Sequence, residues 1–216
     1  MIQNMWIEII LFTLTSFVVG LSGAIVPGPM LTVTISDSVK KGFIAGPKIV
    51  MGHVIAELIL IILIFAGLGW FIGSDVAVFV IGTLGGIIMM ILGVKIIRSP
   101  TSLKLLKEED NTGKDFGPII NGILTSISNP YFFIWWATIG WAFMFKGLEI
   151  AGILGVAGFL IGHWCSDMGW FSIVSLFASK GSSIMTDKHY KIIINLSGVF
   201  LMILGLYFVL NAQNII

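Results

Sequence analysis

The sequence predicts an all-α polytopic membrane protein: six transmembrane helices forming two inverted three-helix repeats, with helices 1 and 4 broken at proline. Three observations predict it. There are too few charges for a water-facing surface, the apolar runs are as long as a bilayer is thick, and the second half repeats landmarks of the first half in order.

The chain has 216 residues, of which 57% are hydrophobic and 11% charged, and its mean hydropathy is +1.05. Soluble domains carry about a quarter charged residues, so lipid rather than water is the expected solvent. Backbone groups at bilayer depth must bond internally, which makes the spans helices. The 26 glycines fit this reading, because small residues let membrane helices approach closely. A net charge of +1 suggests no nucleic-acid partner. The single cysteine, Cys165, excludes an intramolecular disulfide.

The first span is placed at 6–38. At 1.5 Å per residue it would run roughly 45 to 50 Å, too long for one straight crossing, and Pro27-Gly28-Pro29 interrupts it. No basic stretch precedes it and no clear cleavage pattern follows, so no removable signal peptide is expected. The second span, 45–71, carries Gly52-His53-x-x-x-Glu57, and the third, 77–97, carries Gly86-(x6)-Gly93. The segment 98–117, RSPTSLKLLKEEDNTGKDFG, is the one long polar connection. It divides the chain into a first three-helix repeat (1–97), a cytoplasmic linker (98–117) and a second repeat (118–216). The fourth span, 116–145, is again overlong and is broken at Asn129-Pro130. The fifth, 149–177, carries Gly162-His163-x-x-x-Asp167, and the sixth, 192–210, carries Gly198-(x6)-Gly205.

Residues 20–28 align with 122–130, setting one proline break over the other, and the His/acid and glycine pairs follow in the same order. A repeat with an odd number of crossings inserts its second copy upside down. The basic residues agree. Lys40, Lys41 and Lys48, then Lys95, Arg98, Lys104, Lys107 and Lys114, then Lys180, Lys188 and Lys191 follow spans one, three and five, and Lys146 alone lies elsewhere. By the positive-inside rule those three loops are cytoplasmic and both termini lie outside a multi-pass plasma membrane protein.

His53 and Glu57 stand four apart on one helix face, as do His163 and Asp167. Glu57 lies nine residues beyond Lys48, about 13 Å along the axis and close to the midplane. An ionisable group there costs several kcal/mol unless it is paired or faces a wet cavity. The bland reading is a polar clamp between helices. Two symmetric pairs favour proton coupling through Glu57 and Asp167, with His53 and His163 tuning them. The start of the half-helix near Pro29 offers backbone N–H groups and the positive dipole end to a carboxylate. Pro27, Gly28, Pro29, Asn129 and Pro130 are therefore the candidate substrate residues, against the alternative that the prolines merely kink for packing. The aromatic run Tyr131, Phe132, Phe133, Trp135, Trp136 and Trp141 reads first as lipid-facing or packing surface. Gly42-xxx-Gly46, Gly82-xxx-Gly86 and Gly158-xxx-Gly162 suit close helix contacts within the monomer.

These features together resemble the lysine exporter (LysE) family of amino-acid efflux proteins. The resemblance rests on Pro27-Gly28-Pro29, then Gly42-x3-Gly46-x5-Gly52-x4-Glu57, and on Asn129-Pro130 with Trp170, and it extends over nearly the whole chain. It implies export of small amino acids or related amphiphiles in exchange for inward protons across the cytoplasmic membrane, often as a homodimer. It supports Pro27, Gly28, Pro29 and Glu57 most directly. His53, His163 and Lys48 depart from the small apolar residues of the family pattern and would also suit a divalent metal or inorganic cation exporter of the wider superfamily, the alternative function. Such an ion would be cargo; no metal ligand and no cofactor is assigned.

An enzyme is not expected. A thiol-disulfide conduit of related architecture needs a cysteine pair, and no nucleophile-and-base or His-Glu-x-x-His motif is present.

Overall fold

The computed structural model describes residues 2–68, 75–98, 116–181 and 187–213, and among them the regular structure is entirely helical. The helices are α1 (Ile2–Ala24), α2 (Pro29–Lys41), α3 (Ala45–Leu63), α4 (Asp75–Arg98), α5 (Pro118–Ile127), α6 (Pro130–Trp135), α7 (Trp141–Ala151), α8 (Ile153–Gly181) and α9 (Asp187–Gln213). Wide π turns follow α3 at Ile64–Leu68 and join α6 to α7 at Trp136–Gly140. Most of the linker placed at 98–117, and the last residues of the second span as placed at 45–71, lie outside the described residues.

The interior is largely apolar, but it also holds charged and hydroxyl side chains while many branched aliphatics lie on the outside. Glu57 is 1% exposed, and Ser16, Thr34, Ser38, Ser166 and Asp167 are also buried, whereas Ile62 and Val18 are about two-thirds exposed at 64% and 65%. Burying polar groups and exposing branched aliphatics is stable where the surrounding solvent is hydrocarbon. Among the described residues two helices are each long and apolar enough to cross a bilayer, Met5–Ala24 and Ala45–Gly67; Gly82–Lys95, Pro118–Ile127 and Gly198–Ala212 are shorter apolar helices.

The residues group into two compact units. One is formed by Met1–Val26 with Trp135–Trp170, the other by Pro27–Ile134 with Phe171–Ile216. Each draws on both halves of the sequence.

In the first unit α1 packs against α7, with Phe12 and Phe143 stacked 5.5 Å apart. It also packs against α8: a Cβ on Gly162 would meet Thr13 O, and one on Gly158 would come within 2.8 Å of Thr13 Oγ1. The fourth span as placed ends at 145, yet α7 continues to Ala151. The exposed Lys146–Glu149 pair (3.1 Å) lies within that extension, and the chain turns only at Gly152, whose φ of 57° suits glycine.

In the second unit α4 and α9 form a seam of four glycines. Cβ atoms on Gly86 and Gly205 would each come within 2.5 Å of the other's carbonyl oxygen, and those on Gly93 and Gly198 within 2.6 and 2.8 Å. The two Gly-(x6)-Gly motifs thus face one another in antiparallel register. Lipid tails give apolar helices little reason to associate, so contact of this closeness supplies the adhesion. The same holds for α3 on α5. A Cβ on Gly52 would strike Ile119 O, and one on Gly122 would strike Ile49 O.

Candidate functional site

Both proline breaks are present as gaps between helices, and the Pro27-Gly28-Pro29 and Asn129-Pro130 motifs themselves fall in the second unit. At the first, α1 ends at Ala24 and α2 begins at Pro29, with Gly28 extended (φ −149°, ψ −174°) as N-cap. Gly28, Pro29 and Met30 are buried. Glycine has no side chain, so none caps this helix start, and Pro29 at its first position has no N–H to satisfy, which leaves the N–H groups from Met30 onward as the donors a ligand would meet. At the second break the chain caps itself. Asn129 Oδ1 accepts the Tyr131 N–H at 3.1 Å, and Asn129 O accepts from Phe132 N at 3.0 Å. The aligned motifs are therefore chemically unequal: no side chain caps α2, whereas a carboxylate arriving at α6 would have to displace Asn129.

His53 and Glu57 make the expected i,i+4 pair on α3. His53 Nε2 lies 3.1 Å from Glu57 Oε1. The other ring nitrogen, Nδ1, is 2.7 Å from Ser126 Oγ on α5, and the ring meets Phe132 of α6 edge-on at 5.6 Å. Ser126 was not legible as a site residue. What brings it to His53 is the glycine contact: Gly52 precedes His53, Gly122 lies one turn before Ser126, and their bare backbones let the two helices close.

The second pair, in the first unit, has different surroundings. His163 Nε2 is 3.4 Å from Asp167 Oδ2, and both side chains are at least 95% buried (5% and 4% exposed). The imidazole stacks on Trp135 at 4.5 Å and 19°, lies near-parallel to Phe159 at 6.0 Å, and takes the edge of Trp136 at 5.7 Å. A Cβ on Gly20 would come within 3.0 Å of His163 Nδ1, so Gly20 makes room for the ring. The aromatic run, expected as lipid-facing or packing surface, is divided. Phe132, Trp135 and Trp136 are buried against histidines, and Tyr131, Phe133 and Trp141 are half-buried.

One further acid went unread in the sequence. Asp37, near the C-terminal end of α2, is 7% exposed. Its Oδ2 accepts from Asn121 Nδ2 at 3.0 Å and its Oδ1 lies 3.4 Å from Lys41 Nζ. The Asp37/Lys41 spacing was visible; Asn121, from α5, was not. The charge is locally matched, and with Ser38 Oγ and Ser175 Oγ 2.7 Å apart it fastens α2 to its neighbours.

No solved structure matches the chain. A protein of Bacillus subtilis (strain 168) named "Putative amino acid efflux protein YcgF" is 23% identical over 198 residues, covering 90% of this chain and 93% of its own length. The sequence profile of the LysE type translocators matches residues 21–212, a stretch that contains both breaks and both His/acid pairs. The chain therefore belongs to the LysE type translocator family, whose members are integral membrane transporters.

Proposed function

We propose that the protein exports amino acids, or similar small amphiphiles, across the cytoplasmic membrane by exchanging them for protons. The observation that carries this reading is the uncapped, buried start of α2 at Gly28, in the same unit as the His53–Glu57 pair. A helix N-terminus stripped of side-chain acceptors suits a carboxylate, and a carboxylate–imidazole pair buried in a span is a proton carrier by chemistry. The amino-acid efflux name of the Bacillus subtilis relative points to the same cargo.

The architecture belonging to this reading is six spans in two inverted three-helix repeats, 1–97 and 118–216, joined by a cytoplasmic linker, with both termini outside. Its support is the exchange of partners between halves: α3 of the first packs on α5 of the second, and α1 of the first packs on α8 of the second. In inverted-repeat transporters alternating access is a rocking of one repeat or bundle against the other around the site. Pro27, Gly28 and Pro29 form the main carboxylate site; Asn129 and Pro130 are its self-capped counterpart. Glu57 and Asp167 couple, and His53 and His163 hold them.

Counterflow in proteoliposomes tests the reading. Unlabelled amino acid trapped inside should drive uptake of labelled amino acid, with no response to the corresponding methyl ester. Counterflow driven by divalent cations instead would replace the reading with cation export.

A further inference from the structure

Glu57, His53, Ser126 and the Gly122 carbonyl form a continuous chain of short contacts. Glu57 Oε1 to His53 Nε2 is 3.1 Å, His53 Nδ1 to Ser126 Oγ is 2.7 Å, and Ser126 Oγ to Gly122 O is 2.7 Å. Ser126 is 3% exposed and Glu57 1%, so bulk water does not readily replace these partners.

The protons along this chain can be placed by elimination. Gly122 O can only accept, and Ser126 has one hydroxyl proton. If that proton pointed to His53, two oxygens would face each other lone pair to lone pair at 2.7 Å. The hydroxyl therefore donates to Gly122 O, and His53 Nδ1 must carry a hydrogen and donate to Ser126 Oγ. This settles the other nitrogen. In neutral His53 the Nε2 atom has only a lone pair, so its contact with Glu57 holds in two forms: a protonated Glu57 donating to Nε2, or a protonated imidazole donating to the carboxylate. Each form contains one more proton than neutral His53 and ionised Glu57 together. Remove it, and two lone pairs face each other.

We propose that Ser126 is a positioning residue that fixes the proton of His53 on Nδ1 and so makes the His53–Glu57 contact hold only while it carries a shared proton. In the opposite tautomer a neutral His53 would donate from Nε2 to ionised Glu57, and the clamp would survive deprotonation. The chosen tautomer turns a clamp into a proton-dependent latch. The latch also spans the second break. Ser126 lies three residues before Asn129 and Phe132 three after it, and His53 touches both, so a change at Glu57 is felt on each side of the gap between α5 and α6. On the elements packed against α3 in this unit, α5 has no titratable side chain, α2 has Asp37, Lys40 and Lys41, α6 has Tyr131, and the stretch of α8 that meets Gly46 has Lys180. Asp37 is held by Asn121 and Lys41. At the position aligned with Ser126, the other half has Ala24, which offers no hydroxyl, so the device belongs to one half only.

The latch as such stands on geometry; its part in coupling rests on the export reading above. Ring ¹⁵N spectra of protein reconstituted with labelled histidine separate the two. There are three histidines, His53, His163 and His189, assigned by removing His163 and His189 in turn. Neutral His53 should show a protonated Nδ1 and a bare Nε2 in the wild type and in Ser126→Thr, and should move toward the Nε2–H form in Ser126→Ala. A wild-type Nε2–H form, or an unchanged tautomer in Ser126→Ala, overturns the proposal, and the wild-type spectrum decides even where a variant fails to fold. In parallel, counterflow is measured against pH and normalised to each variant's maximum. The limb expected of one coupled proton, up to about tenfold per pH unit, should flatten in Ser126→Ala and return in Ser126→Thr. A limb as steep in Ser126→Ala as in the wild type overturns the latch's part in coupling. A wild type that moves no amino acid overturns the export reading and leaves the ring measurement to judge the tautomer.

Discussion

Asn129 caps Tyr131: its Oδ1 accepts the Tyr131 N–H at 3.1 Å at the start of α6, whereas Gly28 at the start of α2 has no side chain with which to do the same. Two motifs that align in sequence thus differ in the property that matters for an anion. Gly28→Val should abolish binding of a free amino acid, because the branched side chain fills the buried approach to the α2 N–H groups while leaving the protein inserted. Asn129→Ala should cost about 1 kcal/mol of stability as a lost cap and reduce binding far less. Equal affinity of wild type for an amino acid and its methyl ester would sink the carboxylate site, whatever the variants do.

Close glycine contacts account for how His53 meets Ser126. Gly52→Ala puts a methyl against the Ile119 carbonyl, and backbone cannot yield as a side-chain tip can. A loss of about 1–3 kcal/mol is expected, in the range for overpacking. Gly169→Ala is the control, since a Cβ there meets nothing within 4 Å. It should be neutral or stabilising by up to about 1 kcal/mol through helix propensity. Thermal unfolding of purified protein in one detergent compares them. Equal midpoints for both variants would mean that α3 and α5 are not held this closely.

The breaks and the His/acid pairs were legible because each follows from a local rule. Proline cannot donate a hydrogen bond, and a spacing of four puts two side chains on one helix face. The glycine pairs were visible only as a repeat; that Gly86 faces Gly205 and Gly93 faces Gly198 depends on antiparallel register, which no local rule supplies. Ser126 was hidden for a related reason. A serine bonding the carbonyl one turn back is ordinary in a membrane helix, and its second contact exists only when α5 lies on α3. The aromatic run read as lipid-facing or packing surface, and its packing part proves to serve two partners that no local rule names: Phe132 packs on His53, Trp135 and Trp136 on His163.

The charge pattern makes the membrane orientation testable without transport. In a Cys165→Ser background, single cysteines replacing Lys107 and Gln213 are treated with a membrane-impermeant maleimide on intact cells. The Gln213 position should label and the Lys107 position should not until the cells are opened. The reverse pattern would invert the topology and put the linker on the outer side.

Glu57→Gln isolates the role of the proton. The amide matches the carboxyl in shape and can donate permanently to His53 Nε2 across the 3.1 Å contact, so the side chain stays buried and satisfied while the titration disappears. Folding should survive, because no buried charge is left unpaired. Uphill export driven by a proton gradient should be lost, since the pair can no longer release and regain its proton as the site alternates. Exchange of labelled for unlabelled substrate, which requires the bound carrier to move but no net proton transfer, should persist. Asp167→Asn is the matching test in the other half, where Asp167 sits 3.4 Å from a histidine walled by Trp135, Trp136 and Phe159. The tight aromatic surround makes that pair the better candidate for a fixed clamp, so its variant should lose stability as well as coupling. The two neutral variants together decide the matter. If each still accumulates substrate against its gradient as the wild type does when a proton gradient is imposed, both carboxylates are packing elements and the protons cross elsewhere.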